Sequence, residues 1–172
     1  MKTAVVICGR FNPFTIGHEW LISTALKFSK NNNYDFFLLP TKTENDKNNP
    51  IPFKEKIKYI KSLYKETVNI VLDENIKHLF NLVDYLKEQG YDTFIGFGDN
   101  ERRTYYESIG QEMTYYSLGI RKSNRKDLLG ISGTKARNFA KENNFVEFEK
   151  CIPKKLKKEY IIEMFNYIKD KN

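Results

Sequence analysis

The sequence predicts an α/β fold of the doubly wound, Rossmann-like kind, built on a parallel sheet as a single domain over 1–172. Three observations predict it. Short apolar runs, rich in β-branched or aromatic residues, alternate with segments whose apolar residues recur at helical spacing. The runs end in polar turns that carry glycine or proline. The length of 172 residues suits one domain, with no internal repeat or interdomain linker.

Thr3 to Cys8 (TAVVIC) reads as a buried strand stopped by Gly9. After the turn GRFNPFT, a helix is expected from Ile16 to Ser29, with Trp20, Leu21, Ala25 and Phe28 at helical spacing. Tyr34 to Leu39 is a second strand closed by Pro40, and the polar loop TKTENDKNNPIP follows. Phe53 to Tyr64 is helical on its Ile57, Ile60, Leu63 and Tyr64 stripe, and Val68 to Leu72 is a third strand. Ile76 to Gln89 is a helix with Leu79, Leu82, Val83 and Leu86 inward and Gly90 at its end. Thr93 to Phe97 is a fourth strand leading into GFGDN. Glu101 to Ile109 reads as a short helix and Met113 to Leu118 as a fifth strand. Ser132 opens another helix, and an amphipathic C-terminal helix covers about 154–169.

Apolar residues make up 40% of the chain, with 13 Phe and 11 Tyr, and charged residues 30%, which excludes disorder. No run approaches the roughly 20 apolar residues of a spanning helix, so no membrane partner is expected. The opening MKTAVVICGRF lacks a signal peptide's apolar length and cleavage site, so it reads as a strand in a cytoplasmic protein. The two cysteines, Cys8 and Cys151, are distant and read as buried hydrophobes; two histidines offer no zinc site, and no metal-ligating residues are assigned. The net charge of +7 suggests an anionic partner. Its lysines are spread along the chain, and Lys154-Lys155-Leu156-Lys157-Lys158 reads as a solvated face rather than a nucleic-acid surface.

Three glycine-bearing segments fall at strand ends or helix starts: GRFNPFTIGH, GFGDN and ISGTKAR. In doubly wound sheets that is where ligands bind. Gly9 allows a tight turn, Gly17 a close approach of the first helical turn, and His18 sits among free N–H groups that favour phosphate. Alone, a histidine there is a helix-start residue with no task. In the second start, Ser132 is a plausible N-cap and Gly133 lets an anion approach, while Thr134, Lys135 and Arg137 offer a hydroxyl and two cations. Its bland alternative is an ordinary capped helix. Two such starts in one chain point to a polyphosphate.

On these motifs the chain resembles the nucleotidyltransferases with (H/T)xGH and ISxTxxR signatures, over nearly its whole length. It is most similar to the compact archaeal-type and phage-type nicotinamide mononucleotide adenylyltransferases, through GRFNPF, the NPIPF loop at Asn49–Phe53 and the GDNER turn from Gly98. The resemblance implies that Arg10, Phe11 and Asn12 form the turn under the nucleotide. Thr15 and His18 would contact the triphosphate, His18 at the attacked α-phosphate. Gly98 and Asp99 would lie along ribose and adenine, and Ser132, Thr134 and Arg137 would hold the β- and γ-phosphates. Magnesium would be bound chiefly through phosphate oxygens and water.

The implied reaction joins ATP and nicotinamide mononucleotide into NAD with release of pyrophosphate. Cytidylyl transfer from CTP, or a phosphopantetheine-type acceptor, is the alternative within the class. A basic nucleic-acid-binding module is the alternative outside it, and a homo-oligomer stays open. Two positions depart from the nicotinamide pattern. Thr15 stands where most such enzymes carry His, and the sole Trp, Trp20, is in the first helix rather than before the fourth strand. Phe80 and Tyr85 are then the candidates to face the acceptor ring, or else core packing, with Asn81 offering an amide.

Overall fold

The computed structural model describes residues 1–118, 126–128 and 130–171. Their contacts group into two compact units between which the chain passes several times. The sheet unit comprises Met1–Gly9, Trp20–Thr41 and the stretch from Val68 through the fifth strand. The helical unit comprises Arg10–Glu19, Lys42–Thr67 and the described residues from Lys126 onward.

The sheet unit holds β1 (Thr3–Gly9), β2 (Asp35–Pro40), β3 (Asn69–Ile70), β4 (Thr93–Gly98) and β5 (Met113–Ser117), all parallel. Their order, β3-β2-β1-β4-β5, reverses direction between β1 and β4. This is the doubly wound arrangement, and its switch point lies at the carboxyl ends of those two strands. One face of the sheet packs on α3 (Leu79–Glu88), whose Leu79, Leu82, Val83 and Leu86 are all buried. β3 is an edge strand of which only Asn69 and Ile70 pair, so it is shorter than the apolar run Val68–Leu72.

α3 starts three residues later than the stripe from Ile76 implies. The Asp73 side chain accepts the Asn75 N–H (2.8 Å) and its carbonyl the Ile76 N–H (3.1 Å), holding that stretch in a turn. Asn81 then caps the helix, its Oδ1 accepting the His78 N–H at 3.0 Å. After β4 a 3-10 turn at Asn100–Arg102 runs into α4 (Arg103–Glu107). α1 (Ile16–Asn32) begins in the helical unit and continues in the sheet unit. Its buried positions are Ile16, Ile22, Ala25 and Ser29; of the residues read at helical spacing, Ala25 is buried and Trp20, Leu21 and Phe28 are partly covered.

The helical unit packs α2 (Phe53–Tyr64), α5 (Gly133–Lys141), α6 (Phe145–Lys150) and α7 (Lys158–Lys169) around Ile51, Tyr59, Ala136, Ala140, Phe148, Cys151, Met164 and Ile168. α6 is too short to show a helical period in the sequence. α7 begins at Lys158 rather than near 154: Leu156 N–H closes a turn on the Pro153 carbonyl (3.1 Å), and a lysine cluster is unfavourable inside a helix's positive end. Glu163 of α7 accepts hydrogen bonds from Lys58 (2.8 Å) and the Tyr59 hydroxyl (3.3 Å) of α2. No helix among the described residues is long and apolar enough to cross a membrane.

Candidate active site

In the helical unit the site is built on the turn from Arg10 to Thr15, which leads into α1. Phe11 is buried with a left-handed backbone (φ 48°), a conformation that costs a non-glycine residue about 1–2 kcal/mol and needs support from its surroundings. That support is specific. The Asn12 side chain acts as a second peptide group toward Ile51, donating from Nδ2 to its carbonyl and accepting its N–H at Oδ1, each at 2.9 Å. The Arg10 carbonyl accepts the Lys56 ammonium at 2.7 Å, and the Asn12 carbonyl accepts Arg137 Nη1 at 2.9 Å. Two buried cations thus brace the turn, leaving the Arg10 side chain exposed. Lys56 is one that sequence reasoning missed. Its signal is a lysine between Phe53 and the Ile57–Ile60 pair, on the apolar stripe of α2.

His18 lies in the first turn of α1. Its Nδ1 accepts the Thr15 backbone N–H at 3.0 Å, with Thr15 Oγ1 3.2 Å away. A ring nitrogen that accepts carries no proton, so in the neutral imidazole the proton sits on Nε2, which becomes a donor. Phe11 meets the ring edge-on at 5.0 Å between centroids and Phe14 lies at 5.6 Å, which fixes its plane. Thr15 therefore orients His18 through its backbone.

The second helix start forms as its sequence implies. Ser132 is the N-cap of α5, its hydroxyl accepting the Lys135 N–H at 3.0 Å. A Cβ at Gly133 would stand 3.1 Å from Arg137 Nη1, so glycine keeps that guanidinium's space open. Arg137 Nη2 donates to Thr134 Oγ1 at 3.1 Å. Arg137 is buried, and its basicity is lowered first by that burial and next by the charge of Arg10, with Asp46 opposing. Two guanidiniums that oppose each other's charge gain from an anion. Arg137 thus ties the ISGTKAR helix to the GRFNPFT turn, a link that separation by well over a hundred residues hides in the sequence. Gly17 follows Ile16, whose N–H donates to the Cys151 carbonyl at 2.9 Å.

In the sheet unit, Gly9 and Gly98 end β1 and β4. The β1–β4 ladder stops at Val6 and Gly96, although both strands continue. The Cys8 N–H is satisfied instead by the Tyr106 hydroxyl (2.7 Å), and a Cβ at Gly96 would collide with the Tyr106 ring. A Cβ at Gly98 would strike the Tyr115 hydroxyl, which donates to the Asp99 carbonyl at 2.6 Å. The Asp99 carboxylate is exposed and caps the following turn by accepting the Arg102 N–H at 3.2 Å. Phe80 and Tyr85 on α3 are 47% and 42% exposed, so neither is core packing. Asn81, beside them, has its Oδ1 engaged in the helix cap, leaving its NH₂ as the group on offer.

The sheet unit has a doubly wound strand order, and in the helical unit two helix starts are anchored on one turn; these are features of an α/β class whose helix starts suit phosphate. The cytidylyltransferase-like family model matches residues 6–139, and the chain belongs to that family. The protein named "Probable nicotinate-nucleotide adenylyltransferase" of Fervidobacterium nodosum is 30% identical over 109 residues, 57% of this chain. The match spans about half of that relative, 49% of its length. Among solved structures, a Plasmodium falciparum nicotinic acid mononucleotide adenylyltransferase complexed with NaAD superposes with a TM-score of 0.66 at 20% identity, covering 100% of this chain and 99% of that one. A bifunctional NMN adenylyltransferase/ADP ribose pyrophosphatase of Francisella tularensis, complexed with AMP and a manganese ion, gives 0.63 at 18% identity, covering 99% of this chain and 52% of that one. The structural likenesses show the shared fold.

Proposed function

We propose that the chain transfers an adenylyl group from ATP to the phosphate of a pyridine mononucleotide, with release of pyrophosphate, as the relatives' names suggest. One observation carries this reading: the Nε2 donor of His18 and the Ser132–Thr134–Arg137 helix start are anchored on the same turn, at Thr15 and Asn12. In the reaction an oxygen of the acceptor phosphate attacks the α-phosphorus in line. That P–O bond forms as the bond to the bridging oxygen of the β-phosphate breaks, and pyrophosphate leaves with the electron pair.

His18 Nε2–H would donate to a non-bridging α-phosphate oxygen as charge builds, with no proton transfer required. Arg10, Arg137, Thr134, Ser132 and the N–H groups opening α5, with Gly133 allowing close approach, would bind the leaving phosphates. Gly9, Phe11, Asn12 and Gly17 would shape the turn that displays these groups. Within the sheet unit the reading gives Gly98 and Asp99 the ribose and base. Phe80, Asn81 and Tyr85 would take the acceptor ring.

Among the described residues no group of three or more His, Cys, Asp or Glu side chains could hold a metal. Magnesium would be held by phosphate oxygens and water, which suits an ion slow to dehydrate. When bound, it would neutralise phosphate charge. The test is to incubate the protein with ATP or CTP, magnesium and a panel of acceptor phosphates, measuring pyrophosphate and product mass. Formation of a dinucleotide from ATP and a pyridine mononucleotide is the expected result. Preference for CTP, or for a phosphopantetheine-type acceptor, would replace it.

A further inference from the structure

Arg102 is a half-buried guanidinium at the carboxyl end of the sheet, where β1 and β4 part. Its side chain makes a long hydrogen bond, 3.4 Å from Nη1 to the Cys8 carbonyl. Among the described residues no carboxylate pairs with it. Its neighbour Arg103 is tied to Glu107 at 3.0 Å, and Asp99 engages the Arg102 backbone rather than its side chain. A partly desolvated cation with one weak acceptor calls for an anion.

The frame around it is aromatic and rigid. The Tyr106 hydroxyl holds the Cys8 N–H, the Tyr105 hydroxyl accepts the Leu79 N–H at 3.1 Å, and the rings of Tyr106 and Tyr115 pack tilted by 38° with 4.7 Å between centroids. The Arg102 charge reaches all three phenols, opposing the burial that raises each of them. A planar fork among flat rings matches a carboxylate on a flat heteroaromatic ring.

We propose that Arg102 reads an acidic group on the acceptor base, so that a pyridine mononucleotide carrying a carboxylate is taken in preference to one carrying a carboxamide. The inference rests on the adenylyl-transfer reading above. Its test compares kcat/KM for nicotinate and nicotinamide mononucleotides, with ATP, in the wild type, Arg102→Gln and Arg102→Lys. The wild type should favour nicotinate, and Arg102→Gln should lower the nicotinate-to-nicotinamide ratio about 10- to 100-fold, the worth of a charge-assisted hydrogen bond. Arg102→Lys, which keeps the charge without the fork, should fall between.

An unchanged ratio in folded Arg102→Gln, or a wild type that favours nicotinamide, overturns the inference. If Arg102→Gln does not fold, the Arg102→Lys ratio decides in the same way. If neither acceptor is adenylylated, the adenylyl-transfer reading is what fails. Calorimetry of the two mononucleotides without ATP then decides for Arg102: tighter nicotinate binding that weakens in the variant supports it, and equal binding of both overturns it.

Discussion

The imidazole of His18 is held at Nδ1 by the Thr15 backbone N–H, with the Thr15 hydroxyl beside it, so its tautomer is set within the turn. Replacing Thr15 should thus disturb His18 less than removing His18 itself. His18→Ala is expected to lower kcat by roughly 100- to 1,000-fold, about 2.7–4 kcal/mol, with little change in the KM for ATP. Steady-state kinetics checks this, and a proportional rise in KM instead would make His18 a ground-state contact. Arg137→Ala should behave differently. Its partners include the Asn12 carbonyl, so the variant should lose ATP affinity and also about 1–3 kcal/mol of stability from a buried acceptor left unmade. Chemical denaturation beside nucleotide titration separates the two effects.

At the level of elements, α5 presents its opening N–H groups only because Ser132 fixes where the helix begins. Ser132→Ala removes the cap and should cost about 1 kcal/mol. It should also weaken triphosphate binding, since the first turn frays where phosphate is to be held. Loss of stability without loss of ATP affinity, read from thermal shifts with and without nucleotide, would leave Ser132 a cap alone. The sheet offers a parallel case. The parting of β1 from β4 needs Tyr106 to take over the Cys8 N–H, and glycine at 96 admits that ring.

For the molecule as a whole, the unusual store is a set of phenols, most of them buried. Tyr59, Tyr64, Tyr91, Tyr105, Tyr106 and Tyr115 all have raised pKa values, chiefly through burial, with Tyr91 pushed up to about 12 by burial and by its hydrogen bond to Asp35. Each favours the protonated form when folded. The unfolded chain releases those protons near the ordinary value of 10.0, so their contribution is full below that pH and is lost as pH rises through the folded values. Thermal unfolding is expected to show a midpoint that falls steadily above about pH 10, with part of the tyrosinate absorbance appearing only on unfolding. Ionisation of all eleven tyrosines in the cold, folded protein would contradict it.

The sequence by itself determined the strand–helix alternation, the switch-point logic and both helix starts, because these depend on local period, turn residues and caps. Ser132 and the α2 limits Phe53–Tyr64 were legible for that reason. Where α1 turns its inner face was not, since burial of Ile22 and Ser29 over Trp20 and Leu21 depends on the neighbours packed against them. Nor was the removal of Phe80 and Tyr85 from the core, because an aromatic at helical spacing looks the same on either face. Only the tertiary structure brought Lys56 and Arg137 onto the carbonyls of the Arg10–Asn12 turn and left Arg102 beside Cys8. Those contacts join residues from 46 to 125 positions apart, and a backbone carbonyl as partner leaves no trace in residue type.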